Sequence, residues 1–236
     1  MTEYLHDRNK PRNVQHALEQ LVNRIIAKDQ SATRFYPDVI AASQHEQAEV
    51  RLTAAWVMGQ DNSYQEFHAS LLTLLQDTNA GVRHNAALGL VRFGDSSARP
   101  ELIAMLKPYT VRSENAGTVE LIIKQEGVAV AAGAPLVRVK QDDGKTAEIY
   151  APEAGRLEAA LVANGTKVEA GSELMTLSPS TEQVWEALRA LYLVGQVEDI
   201  PYVQRYTRPI ATMPDSVQKQ ATSTLESIRE RAGKTH

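Results

Sequence analysis

Four stretches of this 236-residue chain repeat one helical pattern at a nearly constant spacing, and no other feature constrains the fold as tightly. "AEVRLTAAWVMG" from Ala48 and "AGVRHNAALGLVRFG" from Ala80 align with Val50 on Val82, Arg51 on Arg83 and Ala54-Ala55 on Ala86-Ala87, an offset of 32. A third copy, "EQVWEALRALYLVG", puts Val184 in that place, and a more divergent fourth, "DSVQKQATSTLESI", puts Val217 there, 33 residues further on. Val82 and Val184 are 102 residues apart, so about 70 residues interrupt an otherwise regular array. A second amphipathic helix is expected ahead of each copy, in "YPDVIAAS", "YQEFHASLLTLLQD", "ARPELIAMLK" and "VEDIPYVQRY". Leu71, Leu72 and Leu75 have helical spacing, and Pro37 suits a first helical turn. A helix pair of this size cannot bury its apolar face alone, so successive pairs stack. The expectation is an α-solenoid of about four helix pairs, with "NVQHALEQLVNRIIAKD" as its N-terminal cap.

Several solenoid families share this period, but the T-P-L-H and W-x2-L-G signatures of two of them are absent. The V-R-x-x-A-A helix, followed by glycine, resembles the short bacterial HEAT-like repeats of the phycobilisome-lyase type. The resemblance spans about 34–107 and 179–231.

The interrupting segment carries its own duplication. Residues 114–139, "ENAGTVELIIKQEGVAVAAGAPLVRV", align without a gap on 152–177, "PEAGRLEAALVANGTKVEAGSELMTL", at an offset of 38. Gly117 meets Gly155, Gly127 meets Gly165, Gly133 meets Gly171 and Leu136 meets Leu174. Short β runs punctuated by glycine at matched places predict a small all-β unit with two-fold pseudo-symmetry. The doubled pattern G-x-[VL]…G-x-x-V-x-x-G-x-x-L resembles the biotinyl/lipoyl domain, a barrel-sandwich hybrid. The expected organisation is therefore α+β and multidomain: a discontinuous HEAT-like solenoid over 1–107 and 179–236, with the β insert at 108–178 inside the third repeat. Thr181 opens the next helix behind a capping pattern, "STEQ".

Biotinyl and lipoyl carriers attach their cofactor to a lysine at the tip of the hairpin joining the two halves, and the resemblance implies that Lys145 is the matching residue. Its flanks are Gly144 and Thr146, where the family has methionines or an Asp and an Ala, and it stands seven rather than eight residues before Pro152. Asp143-Gly144 alone predicts a two-residue type I′ turn ending in a solvated lysine. The expectation is no cofactor, with biotin or lipoate on Lys145 as the alternative.

The remaining chemistry is sparse. There is no cysteine, which excludes disulfides, thiolate metal sites and cysteine nucleophiles. No G-x-S-x-G, P-loop or G-x-G-x-x-G occurs. His6, His16, His45, His68, His84 and His236 form no H-x-x-x-H pair, although His68 and His84 fall on helices of one repeat that could bring them together. The expectation is a non-enzyme without a metal. Outside 108–178 the chain has 18 basic and 19 acidic residues, too even a balance for the basic stripe of a nucleic-acid clamp. The N-terminus has no apolar signal run and no stretch is long enough for a membrane span, so a cytoplasmic protein is expected. Arg51 and Arg83 share one repeat position, which Trp185 takes in the third unit, and Arg92 and Arg189 are expected on the same side, the face expected to be concave. Two readings follow: arginines bonded to acidic neighbours between repeats, or a groove for a protein partner built from Arg51, Arg83, Arg92, Trp185 and Arg189. Trp56 is expected in the core. The function expected is a scaffold or adaptor for a protein partner, with a carrier subunit and a nucleic-acid clamp as alternatives.

Overall fold

A computed structural model describes residues 2–5 and 10–234. The chain is α+β, with helices at both ends and antiparallel sheet between them. It opens with α1 (Thr2–Leu5) and α2 (Pro11–Ile26), then α3 (Tyr36–Ala42), α4 (Ala48–Met58), α5 (Gln65–Leu74), α6 (Ala80–Arg92) and α7 (Arg99–Ala104). Eight strands follow: β1 (Tyr109–Arg112), β2 (Gly117–Leu121), β3 (Ala129–Val130), β4 (Pro135–Lys140), β5 (Thr146–Tyr150), β6 (Gly155–Ala160), β7 (Lys167–Val168) and β8 (Glu173–Pro179). The chain ends in α8 (Thr181–Val194), α9 (Ile200–Gln204) and α10 (Asp215–Lys234). It divides into two compact units. One holds residues 1–104, 189–199 and 226–236, and the other 105–188 and 200–225.

In the first unit the repeat pattern becomes a burial pattern. Val50 and Val82 are fully buried, and so are Ala54, Ala55, Ala86 and Ala87. Small alanines on the second helices let α4 and α6 approach closely. Just past the end of α4, a Cβ added to Gly59 would come within 2.9 Å of the Gly89 Cα. The first helices contribute the bulk: Phe67, Leu71 and Leu102 are fully buried. Tyr36, Tyr64 and Phe67 pack as an aromatic cluster with ring centroids 4.6–5.0 Å apart.

The β strands form two four-stranded antiparallel sheets, ordered β1-β8-β6-β3 and β5-β4-β2-β7. Advancing each strand by four converts one order into the other. Both sheets bury their inner residues in one core, with Val119, Leu136, Val137 and Val139 from one and Leu157, Leu174, Met175 and Leu177 from the other. The pseudo-symmetry reaches individual hydrogen bonds. Gly127 N donates to Leu157 O and Gly165 N to Val119 O, each at 2.7 Å. Gly133 N donates to Ala151 O at 2.8 Å, matched by Gly171 N to Ser113 O at 2.6 Å. All four of these glycines have positive φ, between 73° and 87°. Gly117 and Gly155 are needed for a different reason: a Cβ on either would lie 2.5 Å from a carbonyl oxygen, of Lys140 or of Ser178.

The hairpin between β4 and β5 departs from the expected type I′ turn. Gly144 has φ +84°, but Asp143 is not among the positive-φ residues. Gly144 N donates to Gln141 O at 3.0 Å and Gln141 N to Lys145 O at 2.8 Å. This is a three-residue loop in which one glycine supplies the left-handed position. Asp143 keeps an ordinary conformation because its carboxylate accepts the Lys145 N–H at 3.0 Å, a bond that closes the turn from the side. Ahead of α8, Ser180 caps the helix, its Oγ accepting from Gln183 N at 3.1 Å. The Gln183 amide does not complete the capping box and donates to Glu153 instead.

Candidate functional site

The arginines of the repeats are drawn into intrachain bonds. Arg51 makes a two-pronged pair with Asp77, Nε to Oδ2 at 2.6 Å and Nη2 to Oδ1 at 2.9 Å. Its Nη1 donates to the carbonyls of His45 and Glu46. Arg83 repeats the second half of this pattern 32 residues on, donating to the carbonyls of Asp77 and Thr78. Its acidic partner differs. The position matching Asp77 in the next repeat is Tyr109, where the β strands begin, and Arg83 Nε reaches Glu101 at 3.1 Å instead. The arginine is correspondingly more open, 28% exposed against 16% for Arg51. Arg92 Nη1 donates to the Gly59 carbonyl and to the Gln60 side chain, which ties it to the end of α4. Arg189 is exposed, and Trp185 is half-buried and belongs to the other compact unit.

A second ladder links successive repeats. Tyr36, His68 and Arg99 occupy one position of the first helices, and each meets an aspartate in the loop after the following second helix. Tyr36 donates to Asp61 Oδ2 at 2.6 Å, His68 Nε2 lies 2.7 Å from Asp95 Oδ2, and Arg99 pairs two-pronged with Asp199 at 2.7 and 2.9 Å. Asp61 and Asp95 also accept the backbone N–H of the serine two residues on, Ser63 and Ser97. These bonds outweigh burial and hold both carboxyls below the usual aspartate range. Arg51 does the same for Asp77. Glu101 is also held low: against the cost of burial, it receives His84 at 3.2 Å and Arg83. His68 and His84 therefore have separate carboxylate partners rather than each other. His6 and His236 lie outside the described residues.

Within the helical repeats, α4 presents two exposed apolar side chains one turn apart. Leu52 and Trp56 are 36% and 42% exposed. Trp56 is therefore a surface residue and not core. Gln60 donates back to the Trp56 carbonyl and accepts from Arg92, which links Arg92 to the end of α4.

Residues 36–117 match the family model of HEAT repeats. The match covers about a third of the chain, α3 to α7 and on to the first residue of β2. The HEAT stretch contains Arg51, Trp56, Arg83 and Arg92, but not Lys145, Trp185 or Arg189. No curated protein matches the chain. Among solved structures it is similar to a single-chain, multi-domain long-chain acyl-CoA carboxylase, at 23% identity and a TM-score of 0.29 over 44% of this chain. The chain spans 10% of that protein's length, and a likeness of this size assigns neither fold nor function here.

At the β4–β5 tip Lys145 is 79% exposed, and its ammonium lies 2.9 Å from the Asp143 carboxylate. The lysine amide and ammonium together hold Asp143 below the usual aspartate range. No helix among the described residues is long and apolar enough to cross a membrane. The sequence reasoning missed the aspartates that anchor the HEAT repeats. Asp61 and Asp95 carry a signal, Asp-x-Ser after a long helix, which also occurs at Asp29-Gln30-Ser31, whereas Asp199, followed by Ile200-Pro201, carries none.

Proposed function

We propose that the protein is a non-catalytic scaffold or adaptor. HEAT repeats generally mediate protein–protein interaction, and the observation that carries the reading is the Leu52–Trp56–Arg92 surface on the second helices. Tryptophan and arginine dominate interface energies, and here both are presented without having to be ordered on binding. In this reading the helix pairs form a HEAT-like solenoid and the two-sheet unit is a barrel-sandwich hybrid spliced into the third pair, acting in the cytoplasm as a second contact. Arg83, Arg92 and Arg189 of one compact unit stay candidates for the partner surface, Trp185 is a separate candidate in the other unit, and Arg51 is taken up by Asp77. The test is crosslinking in the native host with wild type and a Leu52→Ala, Trp56→Ala double variant. Loss of the crosslinked protein partners, at an unchanged melting temperature, is expected. Retention of every partner sinks the Leu52–Trp56 surface as the docking site.

A second reading is favoured by the exposure of Lys145 at the hairpin tip: a carrier domain bearing biotin or lipoate. Intact mass of the protein from its native host separates the two. A biotin or lipoate increment mapped to Lys145 makes the chain a carrier, and an unmodified mass returns the lysine to the turn.

A further inference from the structure

Two cavities of about 240 Å³ each flank the segment between α9 and α10, with Tyr206, Ile210 and Met213 as their common wall. One of them lies against β6 and the end of β8, inside a single compact unit. Its lining divides chemically. Ile210 and Met213 give an apolar wall, and Arg156, Arg205 and Glu158 give two guanidinium groups against one carboxylate. Arg205 and Glu158 approach to 3.5 Å and offset each other. Arg156 donates to the Gly127 carbonyl at 2.9 Å and has no carboxylate partner among the described residues. The duplication provides a control within the molecule. The residues matching Arg156 and Glu158, 38 positions earlier, are Thr118 and Glu120. The β architecture thus accepts a threonine at this position, and the guanidinium beside the cavity is not a requirement of the fold. The floor beneath is rigid: Tyr206 is buried and its hydroxyl donates to the Leu106 carbonyl at 2.8 Å.

We propose that this cavity binds a small monocarboxylate with a short alkyl body. Arg156 takes the carboxylate through its planar fork, and Ile210 and Met213 cover the alkyl chain. One uncompensated cation suits a monoanion. A volume of about 240 Å³ is below the usual range of small-molecule clefts, roughly 300–1,000 Å³, and suits a ligand of few atoms.

The experiment is a titration of the full chain, labelled at its methionine methyl groups, with hexanoate, followed by NMR. The Met213 signal should shift saturably, while Met58, buried in the other unit, stays still. Hexanol, which lacks the charge, and Arg156→Gln should each weaken binding about tenfold or more, the worth of one charge-assisted hydrogen bond. Glu158→Gln, a change on an exposed side chain that leaves folding intact, should tighten it by removing the one anion in the lining. A Met213 signal that does not move with hexanoate overturns the proposal. So does hexanol binding as well as hexanoate, or a Glu158→Gln protein that binds no more tightly than wild type.

Discussion

The chain contains two duplications, and they are held together by opposite means. The helical repeats keep their register with side chains: Tyr36, His68 and Arg99 differ chemically, yet each finds an aspartate at the same place in the next loop. The β halves keep theirs with backbone. Matched glycines make matched hydrogen bonds, and the side chains between them drift, as Arg156 does against Thr118. A helix satisfies its own backbone, so only side chains can lock one helix pair to the next. A sheet must satisfy its backbone through its neighbours, so the positions that shape the backbone are the ones that repeat.

The largest effect expected from breaking this contrast is at Asp199. Its carboxylate is nearly buried, takes both prongs of Arg99 and also accepts the Gln196 N–H. Asp199→Ala leaves Arg99 without its main partner and should cost about 3–5 kcal/mol in chemical denaturation. A loss well below that would move the weight of the repeat stack to its apolar core. Next come the β glycines. Gly117→Ala and Gly155→Ala each push a methyl to 2.5 Å from a carbonyl oxygen and should cost about 2–3 kcal/mol apiece. Similar losses would show that the two-fold pseudo-symmetry is energetic as well as geometric, and a loss at only one glycine would break that equivalence.

Acid should separate the two regions more gently. Asp61, Asp77, Asp95 and Glu101 all have folded-state pKa values below their ordinary ones. Their contribution is present above the unfolded values, near pH 4, and is lost as the pH falls through the lowered folded values. In the β unit Asp143 and Glu148 are lowered too, but they lie at the surface and solvent screens them. Hydrogen-exchange protection, corrected for the intrinsic rate, should therefore fall further in residues 36–104 than in 109–179 between pH 7 and pH 3. Equal loss in both regions would remove the electrostatic half of the comparison. The smallest effect is expected at the tip. Lys145→Ala touches only an exposed ion pair and should change stability by less than about 0.5 kcal/mol.

Much of this architecture could be read in advance because repetition amplifies weak signals. Val50 and Val82 alone say little, but at one offset with Arg51 and Arg83 they define a unit. The glycine pairs located both β halves because few residues tolerate positive φ or a carbonyl at 2.5 Å. The candidate site was less accessible. The two readings of Arg51, paired or available, stayed open because nothing in its own repeat marks Asp77, 26 residues away, as its partner. Trp56 looked like core because its place in the repeat is apolar-facing, yet it is 42% exposed.

The sequence by itself determined the periods, the point of interruption and the kinds of element, since these follow from local spacing and from backbone positions only glycine can fill. Only the tertiary structure decided which charged side chains are left over for a partner or a ligand. An arginine is free or consumed according to whether a carboxylate from a distant segment comes within about 3 Å of it, and no local pattern encodes that distance.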